Sequence, residues 1–193
     1  MSAARAGLCS VLLAAASWAT PAGFSGRALP AAVYGEDGRG DPDGVLDQGR
    51  LEAVESTVAL FPADSVHIDR QRGEAVLETA PYVSTDRGKP LCPDERFYGQ
   101  PSGAFCTGFL VAPDAILTAG HCLRQFECSG MKVVFGFAAG KTGQQPGIVP
   151  DGEVYGCAEG LLGARGRGGD WALIRLDRAV RDHGVLRLNG SDD

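Results

Sequence analysis

His121 stands in Thr118-Ala-Gly-His-Cys122, and Asp170 opens the run Asp170-Trp-Ala-Leu-Ile-Arg-Leu176, 49 positions later. An unperturbed imidazole titrates at about pH 6.5, so near neutrality it can take the proton of an alcohol and turn that alcohol into a nucleophile. A carboxylate accepting from Nδ1–H holds the ring in the tautomer that offers Nε2, and it stabilises the imidazolium that forms. His121 is thus the candidate base and Asp170 its candidate orienter. The only serine after Asp170 is Ser191, which is followed by Asp192 and so lacks glycine on both sides. It reads as part of a chain end rather than a nucleophile turn with an oxyanion hole.

Those two residues need rigid supports. Residues 105–111, Phe-Cys-Thr-Gly-Phe-Leu-Val, and 115–118, Ala-Ile-Leu-Thr, predict two strands joined by the turn Ala112-Pro-Asp114, a hairpin that delivers His121 at its end. The run 171–176 predicts another strand, with Asp170 at its mouth after a glycine-rich loop over 160–169. Upstream, residues 56–61 form a β-rich run closed by Pro62, and 66–68 with 75–77 predict a hairpin turning at Arg72-Gly73. His67 lies on that hairpin with no partner motif around it, so it reads as an ordinary surface or packed histidine. Residues 84–103 are polar and rich in Pro and Gly and read as a loop carrying Cys92; 131–137 and 147–155 read as two strands separated by a loop. Short strands with frequent turn signals imply an all-β barrel or sandwich rather than βαβ units.

The first 32 residues stand apart. One basic residue, Arg5, precedes an apolar run over 6–19 that is too short to span a bilayer, with small-residue cleavage sites after Ala19 or Ala22 and a later processing site after Ala32. This is the anatomy of a secretory signal peptide with a short pro-segment, and it takes Cys9 out of the fold. The expected mature chain is 33–193. Of 18 basic residues Arg5 and Arg27 fall in the leader, so 16 face 24 acidic ones and the mature charge is −8. That balance argues against nucleic acid or an anionic membrane as a partner.

Five cysteines remain in the mature part, Cys92, Cys106, Cys122, Cys128 and Cys157, and in an oxidising compartment they read first as disulfide partners. Metal is the competing reading. Only His121 and Cys122 are adjacent and there is no CxxC pair, so no zinc site is expected from spacing. Asp41-Pro-Asp43-Gly44 has the look of a calcium loop, but with Gly44 at the sixth position Arg39 would stand first and Arg50 last, where acidic ligands are needed. No cofactor or metal is expected.

Thr118-Ala-Gly-His-Cys122 with Cys106 sixteen positions upstream, followed in order by Asp170-Trp-Ala-Leu-Ile-Arg-Leu176, resembles the chymotrypsin-like (trypsin-fold) serine proteases. The segments 33–39 (Val-Tyr-Gly-Glu-Asp-Gly-Arg), 56–60 (Ser-Thr-Val-Ala-Leu) and 108–114 (Gly-Phe-Leu-Val-Ala-Pro-Asp) are similar to the bacterial glutamyl-endopeptidase branch. The resemblance covers 33 to about 188, with 63–103 poorly matched.

What it implies is specific. The fold would be the first antiparallel β-barrel of a double-barrel protease, and residues 33–193 the N-terminal part of the peptidase domain, with the second barrel largely absent. The activity would be endoproteolysis of polypeptides by a His-Asp-Ser triad of which this chain supplies His121 and Asp170. No Gly-Asp-Ser-Gly or Gly-Asn-Ser-Gly segment is present, so the serine is expected outside the sequence and the chain alone is expected to be inactive. The resemblance also pairs Cys106 with Cys122. Cys128 and Cys157 flank the region 131–155 and form the second expected pair, which leaves Cys92 over. The alternative from another class is a secreted, non-catalytic binding module that kept protease-like residues; retention of both His121 and Asp170 counts against it.

Overall fold

The computed structural model describes residues 38–44, 47–84, 88–138, 147–164 and 169–189. The leader, Val33 with most of its segment, the middle of the 139–146 loop and Ser191 lie outside these residues. Helix α1 spans Gln48–Glu55. The strands are β1 (Thr57–Pro62), β2 (Val66–Asp69), β3 (Glu74–Leu77), β4 (Ala80–Pro81), β5 (Pro101–Ser102), β6 (Cys106–Ala112), β7 (Ala115–Thr118), β8 (Met131–Phe135), β9 (Ile148–Pro150), β10 (Val154–Ala164) and β11 (Trp171–Leu176), with a one-turn helix α2 at Cys122–Gln125 between β7 and β8.

Six strands close an antiparallel barrel in the order β1-β6-β7-β11-β10-β8. Closure depends on β1, which pairs with β6 on one side (Val58 opposite Gly108) and β8 on the other (Val58 opposite Phe135). The alternation of side chains along a strand sorts residues into two layers. Val58, Leu60, Leu110, Ile116, Met131, Val133, Phe135, Tyr155, Ile174 and Leu176 fill the barrel. Their neighbours Phe61, Val134 and Val154 point the other way and meet Val66, Ala75, Leu77 and Val149 beneath an outer sheet of order β2-β3-β9. The β2–β3 turn is capped by Asp69, whose Oδ1 accepts from the backbone N–H of Gln71 and Arg72, and Gly73 takes the left-handed conformation (φ 69°) that closes it.

Three expectations are corrected. The run 147–155 is not one strand: β9 pairs with β3 in the outer sheet, a 3-10 turn at Asp151–Glu153 intervenes, and β10 enters the barrel beside β8. Pro150 and Gly152 interrupt the ladder there and let the chain change sheets. The glycine-rich stretch from 160 is strand as far as Ala164, because β10 holds its pairing with β11 through two register shifts, between Cys157 and Glu159 and between Gly160 and Leu162. The polar arm expected up to Gly49 gives way to α1, started by Asp47, whose Oδ1 accepts the backbone N–H of Arg50 at 2.9 Å. The helix end is fastened by Ser56, whose buried Oγ lies 2.7 Å from the carbonyl of Glu52 and 2.6 Å from that of Gly184. Residues 84–103 are loop except for β5, which pairs with β4.

Candidate active site

β6 and β7 form the expected hairpin, and β7 pairs on its other edge with β11, Thr118 standing opposite Ala172. His121 therefore leaves the barrel three residues beyond Thr118 at the same end where Asp170 enters it two residues before Ala172. Thr118, nearly buried, anchors this end by donating its hydroxyl to the carbonyl of Thr107 at 2.7 Å. The chain then turns sharply, Cys122 N–H donating to the carbonyl of Ala119, and passes into α2.

Gly120 makes the approach possible. A Cβ there would lie 2.6 Å from the carbonyl oxygen of Ala164, 3.0 Å from that of Trp171 and 3.1 Å from Asp170 Oδ1. Two backbone oxygens cannot yield as a flexible side chain can. The glycine of the Thr118-Ala-Gly-His-Cys122 string is thus a packing requirement for bringing His121 to Asp170.

The aspartate grips the histidine twice. Oδ1 accepts the backbone N–H of His121 at 2.8 Å, and Oδ2 sits 2.6 Å from Nδ1 of the ring. A carboxylate only accepts, so Nδ1 carries the proton and the neutral ring offers its lone pair at Nε2. Among the described residues nothing bonds to Nε2, and both side chains are 50% exposed. The side-chain hydrogen bond from His121 holds the Asp170 carboxyl below the usual carboxylate range; partial desolvation opposes this, while the His121 backbone N–H, its charge and that of Arg124 reinforce it. The arrangement can accept a proton at Nε2 from solvent or a ligand.

Two disulfides brace this end. Cys106, at the start of β6, joins Cys122 with 6.1 Å between Cα atoms, and so fastens the residue after His121 to the barrel wall. Cys128 joins Cys157 at 5.1 Å and fastens the 3-10 turn after α2 to β10. Cys92 is an exposed free thiol.

The other histidines are elsewhere. His67 pairs with Glu78 at 2.8 Å on the exposed face of β2 and β3. His183 stacks on Phe135 (ring centroids 4.2 Å apart) and pairs with Glu153 at 2.7 Å, its Nδ1 buried without a partner among the described residues. Sequence reasoning missed this second histidine–carboxylate pair, and Asp182-His183-Gly184 carries no motif that could have revealed it. A pocket of about 360 Å³ reaches His183, Phe137 and Val54, away from His121. A shallower trough of about 270 Å³, lined by Leu123, Leu161, Leu162 and Trp171, adjoins Asp170 along the chain.

The family model described as Trypsin matches residues 95–188, the stretch that contains β6, β7, β11, His121 and Asp170. The match supports the chymotrypsin-like serine protease family and a trypsin-like peptidase, and the closed six-stranded barrel agrees with a barrel of that fold. A curated protein, "Extracellular metalloprotease" from Bacillus subtilis (strain 168), is 26% identical over 156 residues, covering 80% of this chain and 44% of its own length. The chain therefore spans less than half of that relative. Neither comparison names the glutamyl-endopeptidase branch. Among the described residues no helix is long and apolar enough to cross a membrane.

Proposed function

We propose that this chain carries the general base and the orienting carboxylate of a secreted serine endopeptidase, His121 and Asp170, and that the nucleophilic serine and the oxyanion donors come from outside the described barrel. The observation that carries this reading is the double bond of Asp170 to the backbone and ring of His121. A carboxylate that binds only the ring fixes its tautomer; one that also holds the backbone N–H fixes its position. In the proposed reaction His121 Nε2 takes the serine hydroxyl proton as the oxygen attacks the peptide carbonyl. The imidazolium, stabilised by Asp170, returns that proton to the leaving amine, and a water repeats the cycle on the acyl-enzyme. The glutamyl-endopeptidase-like branch is the finer part of this proposal, supported by segments 56–60 and 108–114; no preference for Glu is assigned. Export rests on the leader-like residues 1–32 and agrees with two disulfides.

Peptide hydrolysis by the protein containing these residues tests the reading. A serine mechanism survives chelators and is lost to a serine-directed phosphonate, the opposite of what a metal-dependent peptidase would show, and this separates the proposal from the name of the Bacillus relative. Asp170→Asn, which leaves the ring in the wrong tautomer, is expected to lower kcat by about 10⁴. His121-dependent turnover by residues 1–193 alone would reject an external nucleophile and bring Ser191 back.

A further inference from the structure

The bridge beside the proposed base holds the parts of a second kind of site. The Sγ atoms of Cys106 and Cys122 and a ring nitrogen of His121 all lie within 4.8 Å of one another. In a tetrahedral zinc site, with bonds of about 2.3 Å to sulfur and 2.0–2.1 Å to nitrogen, ligand atoms stand roughly 3.5–3.8 Å apart. While the sulfurs are bonded to each other they are not thiolates, and no such site exists. We propose that reduction of the Cys106–Cys122 bridge creates one: two thiolates and His121 bind a thiophilic divalent cation, zinc above all, leaving the fourth position to water.

The geometry favours it on three grounds. The Cα atoms of the two cysteines are 6.1 Å apart, so the sulfurs can separate by side-chain rotation with little movement of the strands that carry them. Asp170 already holds Nδ1, which leaves Nε2 for the metal, and a carboxylate on the far nitrogen is the usual support of a metal-bound imidazole. Access is asymmetric: Cys122 is 1% exposed, whereas His121 is half exposed, so a cation can enter from the histidine side and bury its sulfur ligands. The spacing rule for zinc missed this set because Cys106 reaches it across the β6–β7 hairpin. Cys128–Cys157 is an internal control, since it belongs to no such group of three among the described residues.

The chemistry balances with a dithiol or phosphine as reductant. A dithiol gives two hydrogen atoms to the bridge and closes its own disulfide; the cation then replaces two thiol protons and forms a neutral dithiolate complex. Its consequence for the proposed protease rests on the functional reading above: the Nε2 lone pair goes to the metal, and the base can no longer take the serine proton. Reduction followed by zinc would thus silence the site.

Cobalt(II) added to the phosphine-reduced chain tests the site without any assay of activity. One equivalent should bind with thiolate-to-metal charge-transfer and tetrahedral d–d absorption, and zinc should erase both. His121→Ala and Cys106→Ser should abolish the tetrahedral spectrum, Cys128→Ser should leave it, and Asp170→Asn should weaken binding by about 10–100-fold. Because a cysteine variant can fail to fold, the wild-type chain is also alkylated after reduction, with zinc expected to protect Cys106 and Cys122 but not Cys92, Cys128 or Cys157. Failure to take up cobalt, equal binding by His121→Ala, or protection that spreads over all five thiols would overturn the proposal. Hydrolysis is not read in any arm, so these outcomes leave the protease assignment to its own test.

Discussion

Asp170 is worth more to position than to stability. Its pair with His121 is half exposed, and exposed ion pairs contribute little because water screens them and both side chains lose freedom. What stability it does add has a definite pH window. The carboxyl is held below its ordinary value of 3.8, so its contribution is full above that value and is lost as pH falls through the lower folded-state value. Urea melts of the wild type and Asp170→Asn should differ by a constant amount near neutrality and converge below pH 3.8. A gap that stays open in acid would mean that the aspartate acts through packing instead. Gly120 makes the stronger claim at this scale: Gly120→Ala puts a Cβ 2.6 Å from a backbone oxygen and should cost about 1–3 kcal/mol while displacing His121. His121 and Asp170 were legible because each sits in a string whose neighbours differ from ordinary strand residues. His183 was not, since a stacked histidine with a distant carboxylate leaves no local trace.

Disulfides decide how firmly the elements hold that geometry. The Cys106–Cys122 bridge closes 16 residues and Cys128–Cys157 closes 29, and the loss of unfolded-chain entropy is about 3 and 3.6 kcal/mol respectively on the loop-closure account. Removing the first by a double Cys→Ala change should therefore cost less in a denaturant melt than removing the second, while disturbing His121 more. Line broadening of the His121 ring resonances, compared between the two double variants, checks the second half. The β6–β7 hairpin was legible because Ala112-Pro-Asp114 punctuates it. The β9-to-β10 passage was hidden because an apolar run continues across Pro150 and Gly152, and only the partner strands, β3 for one and β8 for the other, reveal that the chain has changed sheets.

For the molecule as a whole, an all-β class follows from the rhythm of strands and turns, whereas closure does not, because β1 must find β8 more than seventy residues on. The barrel leaves one apolar feature uncovered among its described residues: the trough of Leu123, Leu161, Leu162 and Trp171, in which Leu162 is 66% and Trp171 40% exposed. Two large side chains held open beside a half-exposed histidine and aspartate cost free energy in water, roughly 25 cal/mol for each Å² of apolar surface. Contiguous apolar surface of this sort tends to be covered by another chain or segment. Residues 33–193, made by themselves, should therefore self-associate as concentration rises, and Leu162→Lys should suppress it without altering the melting midpoint, since the side chain it replaces packs little in the monomer. Sedimentation velocity over a concentration series reads the first effect and thermal unfolding the second. A wild-type chain that stays monomeric throughout and melts in one sharp reversible step would show that the trough is stable in water, and the argument that something else is needed to cover it would fail.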